Sequence, residues 1–104
     1  MLDAANYRGL YVNQYCELPA RSIYAAFQEE AKKRERRSVE EWMSAEVDAV
    51  HREAVHQAQA HGLRAPSKEE VERAERYAMG SADYGAKWAY SVVDAMRRTN
   101  DSQA

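Results

Sequence analysis

Arg36-Arg37-Ser38-Val39-Glu40-Glu41-Trp42 is the stretch on which the fold turns. Neither Gly nor Pro interrupts the chain from Ala20 to His61, so helix-forming sequence runs unbroken across it. One helix over that whole span would reach about 60 Å at ~1.5 Å per residue. That is too long for a compact monomer and would imply a dimer or an extended coiled arrangement. Ser38 followed three residues later by Glu41 changes the reading. The serine oxygen can accept from a first-turn amide, and the glutamate can reach back to the serine's own N–H. This capping-box pattern predicts a break, with one helix over 20–36 and another over 39–61.

Working outward, the first of these helices carries Ile23, Phe27 and Ala31 as an apolar stripe widened by Tyr24 and Ala26. Its other face pairs Glu29 with Lys33 and Glu30 with Arg34, each carboxylate four residues before a cation, an order that supports an exposed helix. The second helix shows Val39, Trp42, Met43, Val47, Val50 and Ala54 on one face, and His61-Gly62 supplies a glycine for its C-terminal cap. Leu63 to Pro66 reads as a loop. Ser67-Lys68-Glu69-Glu70 repeats the capping box and opens a short helix with Val71, Ala74, Ala78 and Met79, closed by Gly80. Ser81 is placed to cap a last helix carrying Tyr84, Trp88, Val92, Ala95 and Met96, extended by Ala89 and Val93. It is expected to be the most buried of the set. Arg97 and Arg98 fall in its expected final turn, where cations complement the helix dipole. Residues 99–104 read as a flexible polar tail.

The segment ahead of Pro19 is ambiguous. Tyr7, Leu10, Tyr11, Tyr15 and Leu18 recur at spacings of three and four, which favours a helix. Leu10 to Cys16 also fits a short strand with its aromatic residues on one side. The reading is an all-α single domain over 1–104, a small irregular bundle of three to four helices, with a dimer allowed. Composition agrees. Only four Gly and two Pro punctuate 104 residues, and 45% hydrophobic content suffices for a core.

A formal net charge of −2 argues against a general polyanion binder. One cysteine, Cys16, excludes an intramolecular disulfide and suits a reducing cytoplasm. With Asp3 near the start and no basic, then apolar, leader, no signal peptide is expected, and no apolar run approaches the ~18 residues a span needs. A cytoplasmic, membrane-free protein is the expectation.

Catalytic constellations fail one by one. His51, His56 and His61 are five residues apart, which turns each about 140° from the last on a helix, so they cannot converge on one metal. They read as solvated surface histidines. Asp48-x-x-His51 and Glu53-x-x-His56 have the carboxylate–histidine spacing of di-iron bundles, but both lie on one helix where such sites need two. Glu69-x-x-Glu72 lacks a second acidic pair on the helix that follows. Cys16 has no local nucleophile signature and reads as structural. No enzyme, cofactor or metal is expected.

Two interaction surfaces remain. Tyr7, Tyr11 and Tyr15 either roof the core or form an aromatic interface patch, and the spacing leaves both open. Lys32, Lys33, Arg34, Arg36 and Arg37 make a basic run that reaches several phosphates, although Glu29, Glu30, Glu40 and Glu41 flank it. The tight turn at Gly80-Ser81 has a helix-turn-helix look, but Ala82-Asp83-Tyr84-Gly85 offers little to read a base edge. The expected function is therefore a non-enzymatic helical protein that binds another protein, as adaptor, inhibitor or homodimer, of a size common among phage and mobile-element accessory proteins. A nucleic-acid-binding regulator using the basic run is the alternative.

Overall fold

The computed structural model describes the backbone over residues 19–103 and side chains over 19–97. The tyrosine segment with Tyr7, Tyr11, Tyr15 and Cys16 lies outside the described residues. Within them the chain is all helix, with no strand: α1 over 19–31, a 3₁₀ turn at Arg34–Arg36, α2 at Val39–His61, α3 at Lys68–Ala78 and α4 at Tyr84–Gln103.

The break at Ser38 forms as its chemistry demands. The Ser38 hydroxyl accepts from the Glu41 amide at 3.2 Å, and the Glu41 carboxylate accepts from the Ser38 amide at 2.9 Å. Ser67 and Glu70 repeat the arrangement at the start of α3, at 3.1 and 2.9 Å. Gly62 closes α2 with φ 67° and ψ 29°, the left-handed geometry that glycine adopts without a Cβ clash. The Leu63 amide then bonds back to the Ala58 carbonyl at 2.9 Å. Gly80, φ 90°, turns the chain between α3 and α4.

Three boundaries differ from expectation. The first helix ends at 31 rather than 36, and the chain tightens through residues 32–33 into the 3₁₀ turn. The expected Glu29/Lys33 and Glu30/Arg34 pairs, one α-helical turn apart, are therefore replaced. Lys32 pairs with Glu29 and Lys33 with Glu30, both three residues apart. Secondly, α4 starts at Tyr84, with the Lys87 amide bonding the Asp83 carbonyl at 3.0 Å, so Asp83 and not Ser81 occupies the cap position. Thirdly, α4 is helical through Gln103, which draws most of the expected tail into the helix and leaves Arg97 and Arg98 short of its last turn.

The core is shared by all four helices. Ile23 and Phe27 of α1, Val47, Val50, Ala54 and Ala58 of α2, and Val71, Ala74 and Ala78 of α3 close on Trp88, Val92, Val93 and Met96 of α4. Trp88, Val93 and Met96 are fully buried, in keeping with α4 as the central helix. Burial of each such side chain is worth about 1.5–3 kcal/mol. The Trp88 indole N–H, taken from water, donates to the Val71 carbonyl at 3.0 Å, which ties α4 to α3. Alanines at the α2, α3 and α4 contacts let the helices approach closely. Gly85 takes this furthest, since a Cβ there would lie 2.4 Å from Phe27 Cε2 and 3.0 Å from Tyr24 Cε1.

A candidate interaction cavity around Arg34 and Glu75

On α2 the apolar stripe places Glu46 three residues after Met43 and four before Val50, on the face turned to the core. Its side chain is completely buried. A carboxylate there requires a partner, and the early end of α1 supplies one. The 3₁₀ turn brings Arg34 inward, where its Nε and Nη2 donate to Glu46 Oε2 and Oε1 at 2.6 and 2.8 Å. This two-pronged geometry matches the guanidinium fork to the carboxylate. The same guanidinium lies 3.9 Å over the Trp42 ring and 5.7 Å from the Phe27 centroid. Hydrogen bonding to Glu46 holds Arg34 above its usual pKa.

Glu75 repeats the pattern on α3, four residues after Val71 and three before Ala78. It is 7% exposed. Among the described residues no cation or hydrogen-bond donor pairs with its carboxylate. Burial pushes its pKa up, and the neighbouring Glu46 and Glu72 carboxylates add to the shift, against smaller opposing pulls from Arg76 and Arg34. Tyr84, at the start of α4, is half-buried between these charges. Its hydroxyl is pushed up to about 12, first by burial and then by Glu46 and Glu75.

These groups line a surface cavity of about 410 Å³. Tyr24, Phe27, Trp42 and Tyr84 wall it, Arg34 and Glu75 project polar groups into it, and Met43, Met79 and the 80–83 turn complete it. Phe27 and Tyr84 pack edge to face at 5.4 Å, which braces the wall. The expectation that Val39, Trp42 and Met43 all join the core is corrected here. Val39 is 60% exposed, while Trp42 and Met43 are half-buried at the cavity, where Trp42 packs against the Arg34 guanidinium and not in the core cluster. Met79 likewise leaves its expected helix stripe, caps α3 in extended geometry and stands 53% exposed on the cavity's edge.

The basic run is not presented as a set. Arg34 is bound to Glu46, Arg37 pairs with Glu30 at 3.0 Å, and Lys32 and Lys33 hold the α1 carboxylates at 3.0 and 3.3 Å. Arg36 is exposed. The histidines do not converge either. His51 is half-buried, not a solvated surface group, and its Nε2 meets the Pro66 carbonyl at 3.1 Å, which requires the proton on Nε2. Asp48 pairs with Lys68 at 3.1 Å, and Glu53 accepts from Gln57 at 2.8 Å. No grouping of His, Cys, Asp and Glu suited to a metal occurs among the described residues, and none of their helices is long and apolar enough to cross a membrane.

Sequence reading missed Glu46 and Glu75, although both carried a signal, a charge at a core-facing register position of an amphipathic helix. Arg34 carried none, because only the early end of α1 turns it inward. Compared with known proteins, the chain matches no family model, and no curated protein or solved structure proves similar to it.

Proposed function

We propose that this protein acts by binding another protein, without catalysis, and that the face around the Arg34–Glu75 cavity is where it does so. The observation that carries the reading is the apolar lining of this face by side chains outside the core, with Val39 exposed one helical turn before Trp42 on α2. Val39 and Met79 stand exposed, and Trp42 and Met43 line the cavity half-buried. Aromatic residues and methionine are enriched at protein interfaces, where a concave apolar centre anchors a partner. Methionine's flexible thioether adapts to such a contact. The nucleic-acid alternative is weakened, since four of its five cations are held in ion pairs within the chain.

The test is affinity capture by the full chain and by a Val39→Ser/Met79→Ser double variant, read by mass spectrometry in the presence of nuclease. Both positions are exposed, so the variant keeps its core. A protein retained stoichiometrically by wild type and lost with the variant supports the proposal. Retention that ignores the two substitutions, or that disappears on nuclease treatment, overturns it.

A further inference from the structure

The charges lining the cavity are unequal. Arg34 contributes a cation that is already matched by the two-pronged bond to Glu46, a residue with no exposure of its own. That leaves Glu75, 7% exposed as a residue and lining the cavity, with a carboxylate that has no hydrogen-bond donor among the described residues. Asp83, in the turn that precedes α4, also borders the cavity. The walls are aromatic, and ring faces attract cations. A carboxylate that opens to a cavity from a largely desolvated residue is poorly hydrated, whereas one that receives a charged donor gains a short, strong bond.

We infer that the partner presents a basic side chain, lysine or arginine, which enters this cavity and donates to the Glu75 carboxylate between aromatic walls. The inference rests on the docking face proposed above and names the chemistry of what docks there. Arg34 shows that the same wall already accommodates a guanidinium, stacked on Trp42. An incoming cation also relieves the repulsion among the groups around Glu75: Glu46 from α2, Glu72 from its own helix, and Tyr84 at the start of α4. Arg76 and Arg34 are the cations near enough to oppose it. Entry is therefore favoured where Glu75 is ionised and disfavoured in acid.

The experiment is a titration of the ¹⁵N-labelled full chain with methylguanidinium and with n-butylammonium, each against its neutral counterpart, methylurea or n-butanol. The expected result is saturable movement of the Gly80, Ser81, Ala82 and Tyr84 amides with the cations and not with the neutral molecules. The effect should fade as the pH is lowered from neutral into the acid range. Glu75→Gln, confirmed as folded by its own spectrum, should weaken cation binding at least about tenfold, the scale of one hydrogen bond to a charged group. Equal response to neutral and charged probes overturns the inference, as does cation binding that survives in Glu75→Gln. Because the wild-type comparison of charged with neutral probes needs no variant, it decides even if Glu75→Gln misfolds. A captured partner lost on Val39→Ser/Met79→Ser but kept on Glu75→Gln would sink the basic-side-chain inference and leave the docking face standing.

Discussion

Arg34 and Glu46 form a two-pronged ion pair, 2.6 and 2.8 Å, between a 3₁₀ turn and the buried face of α2. The pair anchors the chain reversal that follows α1, and it crosses twelve residues of sequence. Arg34→Ala strands a fully buried carboxylate, and breaking such a pair costs about 3–5 kcal/mol. Arg34 keeps 35% of its side chain exposed, which lets water reach the vacated site and places the loss near 3 kcal/mol, the lower end of that range. Urea denaturation of Arg34→Ala should show this loss. An Arg34→Met/Glu46→Leu double variant should recover most of it, since the stranded charge is gone. A double variant no more stable than Arg34→Ala would show that the pair supplies more than mutual neutralisation.

Glu70 and Glu75, both on α3, should respond to pH with opposite sign. The hydrogen bond from Arg64 and those of the capping box hold Glu70 below the ordinary carboxylate range, against a smaller effect of burial. Its stabilisation is present above the unfolded carboxylate pKa and is lost as pH falls through the folded one. Glu75 is shifted upward by burial and neighbouring carboxylates. Its folded form holds the proton more tightly, so its contribution is complete below the unfolded pKa and is lost as pH rises through the folded value. Glu70→Gln should therefore lower the urea midpoint at neutral pH, and Glu75→Gln should raise it. Both differences should shrink at a pH below the carboxylate range. A Glu75→Gln midpoint below wild type at neutral pH would contradict this assignment.

Gly85 sits under Phe27 and Tyr24 with no room for a methyl group. An alanine in a helix is ordinarily preferred over glycine by about 1 kcal/mol. Here the substitution must displace a ring that is packed against Tyr84 and Trp88, and overpacking costs about 1–3 kcal/mol. Gly85→Ala is expected to destabilise by about 1 kcal/mol, the overpacking cost less the gain in helix propensity, with altered near-ultraviolet dichroism from the aromatic cluster. Thermal melts with a raised midpoint would mean that Phe27 swings aside freely.

Trp88 donates its indole N–H to the Val71 carbonyl from a fully buried position. Trp88→Phe removes both the bond and ring volume in the centre of the bundle. Large-to-small changes at such sites combine lost transfer energy with a residual cavity, and a lost buried hydrogen bond adds about 1 kcal/mol. A loss of roughly 2–3 kcal/mol is expected in chemical denaturation. A change below roughly 0.5 kcal/mol, the ordinary range for surface substitutions, would show the site to be loosely packed.

Ser38→Ala and Ser67→Ala test the two helix starts. Each hydroxyl accepts from an amide that has no partner within its helix, at 3.2 and 3.1 Å. Removal of such a cap costs about 1 kcal/mol. The two sites are independent, so the double variant should lose close to the sum in urea denaturation. A Ser38→Ala variant of unchanged stability would indicate that the Arg34–Glu46 pair alone sets the break between α1 and α2.

The helices, the capping boxes of α2 and α3 and most of the buried faces could be read from residue identity and spacing, because those features are local. A serine three residues before a glutamate satisfies the same amides wherever the helix later packs, and Gly62 tolerates left-handed backbone in any context. Hence the break at Ser38, the end of α2 at Gly62, the turn at Gly80 and the core positions of Ile23, Phe27, Val71, Trp88 and Met96 followed from the sequence by itself. Tertiary structure decided what depends on separation across the chain. It stopped α1 at residue 31, turned Arg34 out of an apparent basic run and onto Glu46, and left Val39 and Met79 of the expected apolar stripes exposed. Register along one helix shows that Glu46 and Glu75 face inward. Only the packing of four helices reveals that one of those carboxylates meets an arginine, whereas the other faces a cavity.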